Sequence, residues 1–407
     1  MHIGISTSVI QRGRTGVAQY LFALLRAYQP FAREHHFSLF VLEEDLPLFA
    51  DFKSTMRIIP VPERFRPPLK NILWHQTRLP LLARRHGIDV LHVPSYRRML
   101  WPRPCALVAT IHDLAPFHVP KKYDWKRMFY GRVVARQLAR RQDEIVAISR
   151  NTAKDVHQFF GLGDDRISVV HNGVEHQRFN PGSPHAAKLR AVEKHGLRQP
   201  FFLYIARLEH PGKNHVRLIA AFDKFKAATG SRWQLALGGS DWQDAEIIHR
   251  AIRESPFATD IQTLGFVSNE DLPDLYRAAD AFVFPSLYEG FGMPPIEAMA
   301  CGCPVISSTR GSLGEVIGDA AAVIDPENIS SMAEQLAAVA ENSDLRLRLQ
   351  NAGLKQARQF DWKRTAEETF RIYERAVSRL KSARARSRRM PEPTPDERES
   401  ARIAAAR

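Results

Sequence analysis

Short apolar runs alternate with amphipathic segments over residues 2–170, and the same alternation restarts near residue 200. Strands separated by helices demand a parallel sheet covered on both faces, since each crossover must pack back on the sheet. In the first half the strand runs are 2–6, 37–42, 57–61, 89–93, 106–111, 144–148 and 167–170. In the second half they are 201–206, 234–237, 261–264, 281–285, 304–307 and 321–324. Expected helices include 16–28, 151–160, 213–228, 269–278 and 295–300, with 325–360 (broken) and 362–379 closing the ordered part. At 407 residues the chain exceeds one ordinary core. The fold class is therefore α/β, two doubly wound domains facing across a cleft. Open sheets of this kind bind ligands at the carboxyl ends of their strands.

The segment "SLYEGFGMPPIEAMACGCPVI" spans residues 286–306 and places Glu289 and Glu297 on either side of a break. In one continuous helix the two would lie about 12 Å apart along the axis. Gly290 and Gly292 disfavour helix, and Pro294–Pro295 fits only a first turn. Glu289 is thus read as a loop carboxylate and Glu297 as part of a helix opening. Upstream, "YIARLEHPGKNHVRLIAAF" puts Arg207 and Lys213 between a strand end and a helix start. A planar cationic fork and a point charge there suit a diphosphate; two solvated surface cations is the plainer reading. "SVIQRGRTGVAQYLFALL" places Gly13 and Gly16 in the first strand–helix turn, without the full G-x-G-x-x-G spacing of a dinucleotide site. "VATIHDLAPFHVP" sets His112 just after a strand, at the expected cleft edge.

Several function classes are set aside. No D-x-D, H-E-x-x-H or Cys/His cluster of ligand spacing is present, so no metal is expected. Neither a G-x-S-x-G elbow nor a P-loop occurs. Cys105, Cys301 and Cys303 are too few for a disulfide framework, and the N-terminus has no signal-peptide pattern. A cytoplasmic location follows as the default expectation. The net charge of +14 resides partly in the tail "RLKSARARSRRM" and in residues 121–141, "KKYDWKRMFYGRVVARQLARR". That charge suits a solvated face, an anionic substrate or an anionic membrane surface. No nucleic-acid recognition motif accompanies it.

Together these segments resemble the retaining, nucleotide-sugar-dependent glycosyltransferases of family four, with the GT-B fold. The likeness is carried by "TGVAQY", "VLHVP", "TIHDLAPFHVP", "RISVVHNGV", "ARLEHPGKN", "GEVIGDAA" and above all residues 263–306. Among such enzymes the sequence is most similar to bacterial mannosyltransferases that build surface polysaccharide. The resemblance implies a hexose donor, GDP-mannose first, and a glycan or lipid-linked acceptor. The alternatives are a UDP-sugar donor or a sugar-nucleotide hydrolase or epimerase; a nucleic-acid-binding protein is the least favoured reading. By the same resemblance Glu297 holds the ribose hydroxyls, and Glu289 holds the donor sugar with Gly290, the Phe291 and Gly292 amides and Met293. Arg207 and Lys213 neutralise the diphosphate, with Gly16 closing over it. His112 contacts the sugar near the anomeric centre, and the base lies near Gly265, Phe266 and Val267. No cofactor is implied, the nucleotide sugar being a substrate. The expected domains are 1–175 on the acceptor side, a linker 176–200, a donor domain 201–360, a helix 361–380 returning to the first domain, and a basic disordered tail 381–407. Peripheral contact with the inner membrane face is expected of residues 121–141.

Overall fold

The computed structural model describes residues 1–13, 15–118 and 129–389. Among these residues thirteen strands form two parallel sheets. The first comprises β1 (His2–Ser6), β2 (His36–Leu42), β3 (Arg57–Val61), β4 (Val90–Val93), β5 (Ala106–Ile111), β6 (Glu144–Ala147) and β7 (Ile167–Val169). The second comprises β8 (Phe201–Ile205), β9 (Gln234–Gly238), β10 (Ile261–Gly265), β11 (Ala281–Phe284), β12 (Val305–Ser308) and β13 (Ala321–Ile324). Their spatial orders are β3-β2-β1-β4-β5-β6-β7 and β10-β9-β8-β11-β12-β13. Central strands such as β4, β5 and β11 are buried on both faces, which is why they read as unbroken apolar runs.

Each order reverses direction once, beside β1 and β4 in the first sheet and beside β8 and β11 in the second. The loops leaving those four strands carry the turn at Gly16, the segment after Val93, Arg207 with Lys213, and Glu289. Strand order alone therefore gathers most of the candidate residues at two facing crevices.

The chain crosses between the halves twice. Val174 N–H donates to the Phe360 carbonyl at 3.2 Å, and Gly173 lies against the Trp362 backbone. A Cβ at position 173 would sit 2.1 Å from Trp362 N, so only glycine permits the two crossings to touch. The last helix, Trp362–Arg389, then lies on the first sheet. Tyr373 Oη bonds His92 Nδ1 at 2.7 Å and accepts from Tyr28 Oη at 2.9 Å. Arg375 makes a two-pronged pair with the fully buried Glu144, at 2.7 and 2.9 Å.

Two expectations change, and a third lies partly outside the described residues. The stretch read as a linker contains a helix, Pro184–His195, capped by Ser183 and ended by Gly196 in the left-handed region. The closing helix runs on to Arg389 rather than stopping near residue 380, because no glycine or proline intervenes before Pro391. The basic segment 121–141 falls partly outside the described residues; its described end continues as the helical turns Tyr130–Ala135 and Arg136–Ala139.

Candidate active site

The loop after β8 is tied to the loop after β11. Asn214, in the left-handed region, donates from Nδ2 to the Pro285 and Pro326 carbonyls at 3.0 and 2.6 Å. Leu287 N–H donates to the Gly212 carbonyl at 3.1 Å, and Tyr204 Oη donates to the Lys213 carbonyl at 2.6 Å. These contacts set Lys213 Nζ 2.6 Å from Glu289 Oε1, with both side chains only about one-fifth exposed (20% and 17%). The sequence assigned these two residues to different parts of a ligand; the structure makes them a pair. Arg207 is more open, its guanidinium 4.7 Å above the Trp242 ring and 3.1 Å from Glu209 Oε2. Stacking and the carboxylate fix the plane of a fork that is otherwise free to swing.

Glu289 is braced from behind. Ser312 donates to the Glu289 carbonyl from both N–H (3.1 Å) and Oγ (3.0 Å). Gly311 packs so closely on the Glu289 backbone that a Cβ there would lie 2.6 Å from its carbonyl oxygen. The break in the sequence then turns at Gly292, whose φ of +103° favours glycine, into the helix Met293–Ala300. That helix starts two residues earlier than read, with both prolines in its first turn, and no side chain caps it. Its positive end therefore offers N–H groups to a ligand. Phe291 is buried, its ring 5.9 Å from His171 and 5.8 Å from Phe360. Glu297 accepts from Tyr276 Oη at 3.1 Å. Burial pushes its carboxyl up to about 7, against the opposing pull of the Arg178 charge.

His112 faces this loop from the N-terminal half. Burial lowers its pKa to about 4, its ring bonds the Pro94 carbonyl, and Nε2 is buried with no partner among the described residues. Tyr20 holds the ring edge-on at 4.7 Å. A neutral imidazole with one nitrogen engaged leaves a single buried polar atom without a partner among the described residues. Gly290 presses on the His112 backbone: a Cβ at 290 would lie 2.0 Å from the His112 carbonyl oxygen. Gly16 opens the helix Gly16–Tyr28 behind the Thr15 cap, is exposed, and has open space before it. Gly265 ends β10, the outer strand, at φ +65°, and Phe266 and Val267 follow it, Phe266 exposed. They are separated from the switch point by β9 and β8, so they form a rim.

Three residues at the site escaped the sequence reading. Trp242 follows the Gly238-Gly239 turn of β9, and a glycine pair beside an aromatic was the available signal. Tyr276 is seen only once helix packing is known. Glu315 reaches across the cleft, accepting from the Arg150 and Asn151 backbone N–H groups at 2.9 and 3.1 Å and contacting His171 Nε2 at 3.2 Å. Nearby, Tyr288 Oη donates to Asp155 at 2.6 Å, adding a second polar contact between the halves.

Comparison with known proteins agrees with this architecture. Residues 14–178 match the family described as Glycosyltransferase Family 4, and residues 186–356 match Glycosyl transferases group 1. O-antigen chain mannosyltransferase B of Escherichia coli is 32% identical over 74% of this chain and 78% of its own length. The serotype-specific mannosyltransferase WbdA of Escherichia coli is 31% identical over 65% of this chain, which spans only 32% of that longer protein. The solved sucrose-phosphate synthase of Thermosynechococcus elongatus superposes with a TM-score of 0.75 at 19% identity, covering 93% of this chain and 99% of that one. The two sheets, the crevice between them and these matches make the chain a member of the family-four glycosyltransferases with the GT-B fold.

Proposed function

We propose that this glycosyltransferase moves mannose from GDP-mannose to a growing glycan or a lipid-linked acceptor, retaining the anomeric configuration and using no metal. The observation that carries the reading is the Lys213–Glu289 pair, set at 2.6 Å where the β8 and β11 loops meet, next to Gly290, which packs on the His112 backbone. Mannose is favoured by the relative at 32% identity that is named as a mannosyltransferase. A cytoplasmic location is part of the same reading.

Glycosyl transfer passes through an oxocarbenium-like state while a diphosphate departs with growing negative charge. In this proposal Arg207, Lys213 and the uncapped helix end at Met293 meet that charge, with Gly16 approaching from the opposite domain. Glu289 beside the sugar complements the positive charge developing there. With its other ring nitrogen donating to the Pro94 carbonyl, neutral His112 accepts a hydrogen bond from a sugar hydroxyl at Nε2. Attack comes from the face the phosphate leaves, and that phosphate takes the acceptor's proton.

The test is turnover across a panel of nucleotide sugars, with the anomeric configuration of the product read by NMR. GDP-mannose should be the best donor, EDTA should leave the rate unchanged, and acceptor should speed nucleotide release. An inverted product or a covalent sugar on a side chain would overturn the mechanism. Release indifferent to acceptor would make the chain a hydrolase.

The proposed ribose contact of Glu297 predicts a pH dependence. Its carboxyl titrates near 7 because burial disfavours the charge, whereas hydroxyl donors favour the ionised form. Nucleotide binding should therefore lower that pKa, and affinity should fall as pH drops. If only the carboxylate binds, Kd rises about tenfold between pH 8 and pH 6. Calorimetry of GDP binding checks this, and Glu297→Gln should bind weakly at both pH values. A flat wild-type profile would remove Glu297 from the ribose.

A further inference from the structure

We propose that the last helix, Trp362–Arg389, completes the active site by orienting His112. Tyr373 and His92 act as positioning residues, through a buried row of hydrogen bonds. Tyr28 Oη donates to Tyr373 Oη at 2.9 Å, and Tyr373 Oη bonds His92 Nδ1 at 2.7 Å. His92 Nε2 bonds Thr110 Oγ1 at 2.8 Å, and Thr110 Oγ1 bonds Tyr20 Oη at 3.2 Å. All these side chains are buried, Tyr20 being the most exposed of them at 4%. This role rests on the reading of His112 as a contact of the donor sugar.

The row ends against His112 in three ways. Tyr20 meets the His112 ring edge-on at 4.7 Å. Thr110 lies two residues before it at the end of β5, so the strand end that carries His112 is tethered through its side chain. His92 lies two residues before Pro94, whose carbonyl accepts from the His112 ring. The helix itself reaches the same place, with the Trp362 ring 5.8 Å from that of Tyr20. The chain that leaves the donor domain thus returns to hold the histidine on the opposite wall.

The row also has a direction. Burial lowers the pKa of His92 to about 3, so near pH 7 its ring is neutral, with one nitrogen donating and the other accepting. Because Tyr28 donates to Tyr373, the Tyr373 hydrogen is left for Nδ1, and Nε2 carries the ring proton toward Thr110. The reverse order would leave the Tyr373 hydrogen buried with no acceptor among the described residues.

Neither stability nor docking of the helix requires such a row. Apolar side chains of like shape at all its positions would pack as well, with no polar atom to satisfy. The helix is already fastened beside it: Arg375 pairs with the buried Glu144 at 2.7 and 2.9 Å, and Phe370, Ile372 and Ala376 are buried. What a fully paired buried row adds is one fixed arrangement of its members. Here that arrangement ends on the ring the proposed reaction uses.

Kinetics of the full chain with GDP-mannose, beside NMR of nitrogen-labelled histidine, tests this role. Tyr373→Phe and Thr110→Val should each lower kcat about tenfold, with donor KM changed by less than about twofold. Thr110→Ser, which keeps the hydroxyl, should recover most of that loss. Ile372→Val loosens the same helix without touching the row; it should lower the melting temperature and leave kcat unchanged. In the parent protein His92 should carry its proton on Nε2, and Tyr373→Phe should shift the His112 resonances as well as those of His92. Normal kcat in both row variants, an equal loss in Ile372→Val, or an unmoved His112 signal overturns the proposal. The NMR needs no donor, so its outcome is independent of which sugar is transferred. Normal turnover in His112→Ala would sink the sugar contact, and the His112 resonances in Tyr373→Phe would still decide the positioning.

Discussion

Replacing Lys213 by alanine should cut turnover at least about a hundredfold while the protein still folds. The lysine does two things at once in the proposed reaction. Its ammonium lies 2.6 Å from Glu289, where little solvent reaches either group, and it stands at the helix-start end of the β8 loop that also bears Arg207. Loss of one well-placed donor to a departing anion costs about 3–4 kcal/mol in the transition state. Removing the lysine also leaves the Glu289 carboxylate largely buried without its counter-charge, and that carboxylate then opposes the phosphate it flanks. Glu289→Ala should lose a similar factor for a different reason, the missing complement to the sugar's developing charge. Because the two residues act as a unit, the double variant should be far less impaired than the product of the single losses. The measurement is kcat and KM for all three variants. Near-normal kcat in Lys213→Ala would remove it from the diphosphate, and strict additivity would mean the pair does not function as one.

The legibility of this chain follows from where its information lies. Strands of a parallel sheet are covered on both faces, so Ala106–Ile111 and Ala281–Phe284 declare themselves as apolar runs with no knowledge of their neighbours. The placing of Glu289, Arg207 and Lys213 in loops and of Glu297 in an opening helix was equally open, because glycine and proline punctuate those segments. The helix Pro184–His195 was obscured by the polar, proline-containing stretch around it, although its Ser-Pro start and Gly196 stop are standard boundary signals. The Lys213–Glu289 pairing, the stacking of Trp242 on Arg207 and the reach of Glu315 to Arg150 join residues separated by 76, 35 and 165 positions. Only the packing of loops and domains brings such groups together.

The second large effect is expected at Gly290, where glycine is required by crowding rather than by its backbone angle. A methyl group at this position would lie 2.0 Å from the His112 carbonyl oxygen and 2.7 Å from Asp113 Cβ. Ordinary contact needs more than 3 Å, so Gly290→Ala must push the β11 loop and the N-terminal half apart by about 1 Å. The neighbouring contacts resist that shift, since Thr152 Oγ1 bonds the Gly290 carbonyl at 3.4 Å and Glu315 grips the same helix end through Arg150 and Asn151. A displacement of this size between reacting groups typically costs about a hundredfold, and kcat should fall by that order. Of the residues proposed to hold the nucleotide, Arg207, Lys213 and Glu297 belong to the C-terminal half, only Gly16 lies across the cleft, and the atoms nearest the added methyl are those of His112 and Asp113. Donor affinity should therefore change by less than about threefold, and calorimetry beside steady-state kinetics separates the two quantities. Weakened donor binding with normal kcat would place the role of this contact in ground-state recognition. Loss of kcat alone would mean that the distance between His112 and the Glu289 loop sets the rate, a result no surface property of either domain can mimic.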